Sequence, residues 1–336
     1  MSFHLFHVDK TAPQQTYAMG SRIDVNKSNM PILEGMALSL LTLQPKSMRE
    51  PHWHPNANEL GYCISGKALM TIFSPGAAHN TLIIEPGTLS FVPMGSLHHV
   101  ENIGTEPLKM ALCFDNNNPE DLNLSSAIGS MPSQALANTF QLEKDFFEQI
   151  HASIKPVFIT GKKKHPALLD AWRTNTYKMD IDATEPQIRN RGGWVKMSKV
   201  SMMSSLRGLA LYSLQLNPKG TREPHWHPNA HELNYLISGA VRITILSPGG
   251  KLDSFEMSAG DMSFLPRGYL HDIETIGDDP ARLAVFFNHN DPSDMGISGC
   301  LGAYPNELLA ELFKVPSSYF NDMPKYQSDL LIVGGG

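Results

Sequence analysis

The eleven residues REPHWHPNANE at 49–59 return as REPHWHPNAHE at 222–232, with a single letter changed, Asn58 to His231. The offset of 173 then holds along the chain without a gap. Asp9, Pro13, Gly20, Pro45 and Gly66 fall on Asp182, Pro186, Gly193, Pro218 and Gly239. Gly87, Pro93, Gly95 and His98 fall on Gly260, Pro266, Gly268 and His271, and Phe114, Pro132 and Phe140 fall on Phe287, Pro305 and Phe313. Repeats this long are two domains and not a solenoid, because each has enough chain for a core of its own. The boundaries read as 1–161 and 176–336, joined by a linker at 162–175.

Within each half the pattern begins as β. Short apolar runs at 37–43, 68–73, 81–84, 89–92 and 110–114 are separated by turn residues. Glu85-Pro86-Gly87 is one such turn; Pro93-Met94-Gly95 is another, suited to type I with proline second and glycine fourth. Towards the end of each half the period changes, and 133–147 and 306–313 read as helix, with Leu136, Phe140 and Phe147 one or two turns apart. Many short strands spaced by turns give a sandwich or barrel. The expected fold is all-β, two tandem β-barrels each with a helical C-terminal extension.

Composition narrows the partners. A net charge of −6 and a pI near 6.1 leave no basic excess to hold nucleic acid or an anionic membrane. The one basic cluster, Lys162-Lys163-Lys164-His165, is short and reads as solvated linker. Cys63, Cys113 and Cys300 are an odd number without CxxC spacing, as expected of reduced core thiols. The N-terminus shows no basic start followed by an apolar run, and no stretch approaches the ~18–20 apolar residues of a membrane span. The expected compartment is cytoplasmic.

The repeated string carries the chemistry. Residues two apart in a strand share a face, so His52 and His54 point together, as do His225 and His227. Glu59 and Glu232 follow five residues later, past a Pro-Asn turn, and His98 and His271 arrive after the next Pro-x-Gly turn. Three imidazoles and a carboxylate form a mixed N/O set suited to Mn, Fe, Ni or Cu, with positions left open on an octahedral ion. Four such groups buried in each barrel without a cation would be costly. Two divalent ions per chain are therefore expected. By strand alternation His99 turns away from the metal, and His231 does likewise beside Glu232. His4, His7, His79, His151, His165 and His289 read as surface or satisfied polar residues.

At this level of detail the chain resembles the cupins. His52-x-His54-x4-Glu59-x6-Gly66 followed by Gly87-x5-Pro93-x-Gly95-x2-His98-x3-Asn102 contains every element of both cupin motifs. The second half repeats them from His225 to Thr275, departing only where Thr275 replaces the final Asn. Two cupins in one chain, each with Arg-Glu-Pro before His-Trp-His, resemble the bicupins of the oxalate decarboxylase type. The resemblance implies a jelly-roll barrel in each half and Mn(II) as the metal. It also implies O2 as co-substrate or cofactor, a small carboxylate substrate, and a homo-oligomer built through the helical tails.

The same resemblance gives Arg49 and Arg222 the task of gripping the substrate carboxylate, which a guanidinium fork suits. They sit three residues before the first histidine, so they reach the metal only if Pro51 and Pro224 kink the strand; otherwise they are rim arginines. Decarboxylases of this type use a lid glutamate as proton donor. Here the segment after the barrel is FDNNNPEDLN at 114–123, shorter and without the lid's Ser-Glu-Asn-Ser string. Its acids are Glu120 and Asp121, although Asp121 has a twin in Asp294 and so also reads as a helix cap. Leu60 and Leu233 stand where decarboxylases often have an aromatic residue, which implies a reshaped pocket. Because the first half keeps the full motif and two adjacent acids, it is the expected main active site. Oxalate oxidase, an Fe or Ni cupin dioxygenase, and a non-catalytic metal- or small-molecule-binding bicupin are the alternatives.

Overall fold

The computed structural model describes residues 2–150, 158–162 and 175–335. Most of the expected linker at 162–175 therefore lies outside the described residues, as do His151, His165, Lys163 and Lys164. Lys162 is described, and its ammonium pairs with Glu101.

The chain forms two compact units. In the unit built from Thr11–Asp180 and Met203–Leu209, a seven-stranded antiparallel sheet runs Lys178–Asp180, Thr88–Val92, Glu59–Ser65, Leu108–Phe114, Ala37–Leu43, Gly20–Val25, Gln15–Tyr17. A second sheet runs Leu122–Asn123, Ser47–Trp53, His98–Asn102, Ala68–Ser74, Ala78–Ile84, and Ile159–Gly161 also pairs with Ser47–Trp53. Inward side chains of both sheets, among them Leu41, Cys63, Met70, Ile84, Val92 and Met110, form one core. That is the jelly-roll arrangement of two facing sheets. The other unit repeats it, with strands such as Ala210–Leu216, Gly220–Trp226, Glu232–Ser238 and Ala281–Phe287 displaced by 173 residues from their counterparts.

Packing does not follow the duplication at its boundaries. Leu5–His7 pairs with the strand Asp261–Leu265, so Met1–Lys10 belongs to the unit of Ile181–Met202 and Ala210–Gly336. Its counterpart at the same offset, Lys178–Asp180, pairs with Thr88–Val92. Each short strand completes the ladder of an edge strand whose N–H and C=O groups would otherwise stay unpaired. The boundaries 1–161 and 176–336 thus mark the repeat, while the compact units exchange these arms.

Gly66 and Gly239 have φ of +86° and +80°, and a Cβ at either would meet the backbone of residues 107–108 or 280–281 at 2.6–2.8 Å. Their place in the motif is set by a turn that only glycine allows. The turn after Thr88–Val92 differs from the type I expectation. Ser96 N–H donates to Pro93 C=O at 3.0 Å with Gly95 at φ +77°, so proline is first and glycine third, as in type II. The helix expected at 133–147 is two helices, Ser133–Phe140 and Lys144–Gln149, separated at Gln141 in the left-handed region. The break turns Phe147 back so that its ring packs 5.7 Å from that of Phe140. Asn306–Phe313 is a helix as expected. Among the described residues no helix is long and apolar enough to cross a membrane. Cys63, Cys113 and Cys300 are free, and burial pushes the Cys63 thiol up to about 12.

Candidate metal centres

Each barrel gathers its four polar residues from both sheets. In the first, His52 lies on Ser47–Trp53, His54 just past its end, His98 on the paired strand, and Glu59 at the start of Glu59–Ser65 in the facing sheet. His52 and His98 are cross-strand partners. His225, His227, Glu232 and His271 repeat this in the second barrel. In each set the ligand-capable atoms lie within 4.8 Å of one another, and all eight residues are buried.

The backbone fixes which ring nitrogen faces inward. Nδ1–H of His52 donates to Glu50 C=O at 2.8 Å, that of His98 to Ser96 C=O at 2.9 Å, and that of His54 to Glu120 C=O at 3.0 Å. The second barrel repeats this with Glu223, Tyr269 and Ser293 as acceptors at 2.7, 2.8 and 2.9 Å. With Nδ1 bonded to the backbone, each Nε2 is the nitrogen turned to the centre, and in a neutral ring it carries the lone pair, the orientation that metal-ligating histidines show. Nε2 of His98, His225 and His271 is buried without a hydrogen-bond partner. A divalent cation would satisfy all three, so the residues fit a metal.

The electrostatics point the same way. Burial, followed by neighbouring imidazole and Arg49 charge, holds His52 well below its usual range; burial, Arg222 and His271 do so for His225. Burial would lower His54 too, but hydrogen bonds with Asp121 and Glu59 outweigh it and raise it to about 9. Burial would raise Glu59, yet the His54 hydrogen bond and the nearby His98 imidazole keep it ionised. A neutral imidazole at His52, an ionised carboxylate at Glu59 and the positive charge that Glu59 and Asp121 draw onto His54 mark a place that favours a cation.

Arg49 and Arg222 reach these centres by the kink their sequence suggested. Between Arg49 and His52 the strand advances three residues while its partner advances two, from Val100 to His98; the same bulge separates Arg222 and His225. The extra residue turns both side chains to one face. Each arginine lines its cavity. Arg49 is held by Asn123 Oδ1 at 2.7 Å, and its guanidinium lies 3.6 Å over the Phe158 ring. Burial lowers Arg49 to about 10, which leaves it charged at neutral pH. The free space in each cavity is about 10 Å³, room for about one water. Arg22 and the apolar side chains of Leu41, Val100, Leu112 and Phe114 complete the first wall.

The two lid acids separate. Asp121 is half-buried, with Oδ2 2.6 Å from Arg22 Nη1 and 3.4 Å from Arg49 Nη2, and Oδ1 2.9 Å from His54 Nδ1. Burial would raise its pKa, but Arg22, His54 and Arg49 hold it far below the usual carboxylate range. In this arrangement Asp121 accepts and does not supply a proton. Nor does it cap the following helix, whose N-cap is Asn123. Glu120 is exposed and does not line the cavity; its carbonyl orients His54.

Other expectations resolve structurally. Leu60 and Leu233 are fully buried on the strand face opposite the glutamates and line neither cavity, so the pocket is not reshaped through them. Asn102 holds a turn through Leu43 C=O, Glu106 C=O and Gly104 N–H, away from the metal residues. His99 turns outward onto Glu101 at 2.9 Å. His231 accepts from Arg267 N–H and stacks on Phe264. The single altered letter of the repeat is matched by a second change. Asn58 N–H donates to Asp115, and His231 N–H to Asn288 at the equivalent place.

The motif reading did not single out Glu50 and Glu223. Glu50 is buried and accepts N–H from Phe158 at 2.8 Å and Ser125 at 3.2 Å; Glu223 does the same for Leu331 and Ser298. Each ties the metal-bearing strand to the helical extension. Glu50→Ala leaves two donors unsatisfied and is expected to destabilise the first unit by about 3 kcal/mol. That is a fall of about 6–12 °C in its melting transition, read by scanning calorimetry.

Two facing sheets with a buried three-histidine, one-glutamate cluster in each barrel define a double-domain metallo-β-barrel. The cupin family model matches residues 6–146 and 179–318, and the chain belongs to that family. Among curated proteins it is 27% identical over 293 residues to oxalate decarboxylase OxdC of Bacillus subtilis, covering 85% of this chain and 76% of the relative. It is 24% identical over 334 residues to an oxalate decarboxylase of Arthroderma benhamiae, covering 89% and 77%. A germin-like protein of Arabidopsis thaliana is 31% identical over 118 residues, which is 34% of this chain. The solved structure of the B. subtilis oxalate decarboxylase at pH 4.6 superposes with a TM-score of 0.90 at 23% identity, over 99% of this chain and 88% of that one.

Proposed function

We propose that the protein is a Mn(II)-dependent bicupin that converts oxalate to formate and carbon dioxide. The observation that carries this reading is a buried arginine lining the same cavity as each three-histidine, one-glutamate centre. Curated relatives that share most of the chain are oxalate decarboxylases, and a solved relative from B. subtilis has Mn(II) centres.

His52, His54, Glu59 and His98 would hold one ion, and His225, His227, Glu232 and His271 the other. When bound, Mn(II) supplies open positions for a carboxylate and for O2, together with a one-electron couple. Arg49 binds and orients the substrate carboxylate, and the apolar wall excludes water and so strengthens that charge-assisted contact. Net, the C–C bond breaks, carbon dioxide leaves, and one proton is added to the carbon that becomes formate. Asp121 is tied down as an acceptor, so Glu120 is the proton donor we propose, brought in when the 115–123 segment rearranges to admit substrate. Without that proton the same site would oxidise oxalate with O2 to two carbon dioxide and one peroxide.

Product analysis on Mn-loaded protein given oxalate and air tests this directly. The expected result is about one formate per oxalate with little peroxide, and Glu120→Gln is expected to shift the products towards peroxide. Peroxide without formate in the wild type would make the protein an oxidase, and neither product would remove oxalate as substrate.

The helical extensions support a homo-oligomer. Phe140 and Phe146 in one extension, and Leu312 and Phe313 in the other, are each more than half exposed, apolar patches that a second copy would cover. Leu312→Glu is expected to lower the mass measured by light scattering.

A further inference from the structure

The duplication lets the two centres be compared position by position, and their cavity linings differ in one charged residue. Arg22 lines the first cavity, where the second has Val195. Its guanidinium is 7% exposed; Nε donates to Asp24 Oδ1 at 2.6 Å and Ser39 Oγ at 3.2 Å, and Nη1 to Asp121 Oδ2 at 2.6 Å. The partners change with it, since Met197 and Tyr212 stand where Asp24 and Ser39 do. A chain of alternating charge, Asp24–Arg22–Asp121, therefore ends on the first barrel's ring nitrogen, with Asp121 Oδ1 2.9 Å from His54 Nδ1. In the second barrel Asp294 is paired with Arg222, and its carboxylate stands 3.6 Å from His227 Nδ1. In both barrels the ring's Nδ1–H donates to a backbone carbonyl, Glu120 at 3.0 Å and Ser293 at 2.9 Å; the difference is that only the first also has a carboxylate oxygen as close, one with no hydrogen bond of its own.

We propose that Arg22 is a positioning residue that sets the Asp121 carboxylate against His54, so that the first centre binds its divalent ion more tightly than the second. A negative carboxylate standing close behind a ligating imidazole, added to the carbonyl that both rings share, holds the ring and raises its basicity further. Arg22 touches neither ion nor substrate in this role. Its ion pairs on both sides hold Asp121 in place, and Val195 offers Asp294 no equivalent. The inference rests on the eight residues being metal ligands, as proposed above, and adds that the two ions are held unequally.

The test is a titration of chelator-stripped full-length protein with Mn(II) alone, with free Mn(II) read by its solution EPR signal. The wild type is expected to show two classes about 10–100-fold apart. His52→Ala should remove the tight class and His225→Ala the weak one. Arg22→Met should move the tight class to the weak one and leave the weak constant unchanged, while Arg22→Lys, which keeps the charge, restores part of the difference. Asp121→Asn should give the same shift, and combining it with Arg22→Met no further loss; a merely structural role for Arg22 would not produce that non-additivity. Two equal classes in the wild type, or a tight class that survives Arg22→Met, overturns the proposal. Should Arg22→Met fail to fold by circular dichroism, an unchanged tight class in Asp121→Asn overturns it instead. A folded wild type that binds no Mn(II) overturns the metal-centre reading itself, a result distinct from two equal sites.

Discussion

His52→Ala is expected to lower bound Mn(II) from about two ions per chain to about one and to abolish formate production. His225→Ala is expected to cause the same loss of metal while keeping most of the activity. His52 is one of four donors around the first centre, with Nδ1 anchored on Glu50 C=O and Nε2 turned inward. Removing one donor from a four-residue site costs on the order of 10³-fold in affinity, if metal binding free energy is shared about equally among the donors. The two variants differ in activity because only the first barrel has an acid at 120; its counterpart is Ser293. Metal analysis by atomic emission, paired with formate assays on both variants, reads the result. Loss of activity in His225→Ala with full activity in His52→Ala would place catalysis in the second barrel. Unchanged metal content in both would remove these histidines as ligands.

Arg49→Lys is expected to lower kcat/KM for oxalate by about 10²–10³-fold, or ~2.7–4 kcal/mol of transition-state stabilisation, with metal content unchanged. The substitution keeps the charge and removes the planar fork. It also removes the stacking on Phe158 and the bond to Asn123 that hold the group over the cavity. Arg222 has Leu331 and Gly296 where Arg49 has Phe158 and Asn123, so Arg222→Lys should change kcat/KM far less. Equal losses in the two variants would show both barrels turning over substrate. No loss in Arg49→Lys would return the arginine to a structural role.

Much of this site is legible in the sequence because it is local. His-x-His in a strand, Glu five residues on, and His after a Pro-x-Gly turn each follow from the two-residue period of a strand and the chemistry of its turns. The bulge that brings Arg49 to the metal face is also local, written in Pro51. Asp121 shows where such reading stops. By position it could serve as a lid acid or a helix cap. It is neither, because Arg22, 99 residues earlier, and Arg49 converge on it, and that meeting is made by two strands of opposite sheets. Leu60 differs, since adjacency to Glu59 suggested a place at the pocket whereas the local strand period itself puts it on the other face.

The sequence by itself determined that there are two domains, that both are β-barrels, and which eight residues converge in them, since repeat offset, strand period and turn residues are properties of neighbouring positions. Tertiary structure alone decided the rest. It placed the first ten residues in the unit of the second repeat, ended the tail helix at Gln141, and fixed Asp121 as an acceptor between two guanidiniums. Those outcomes depend on burial and on charges brought close by chain segments far apart in sequence, and the energy of a buried ion pair depends on partners and geometry that no local pattern contains.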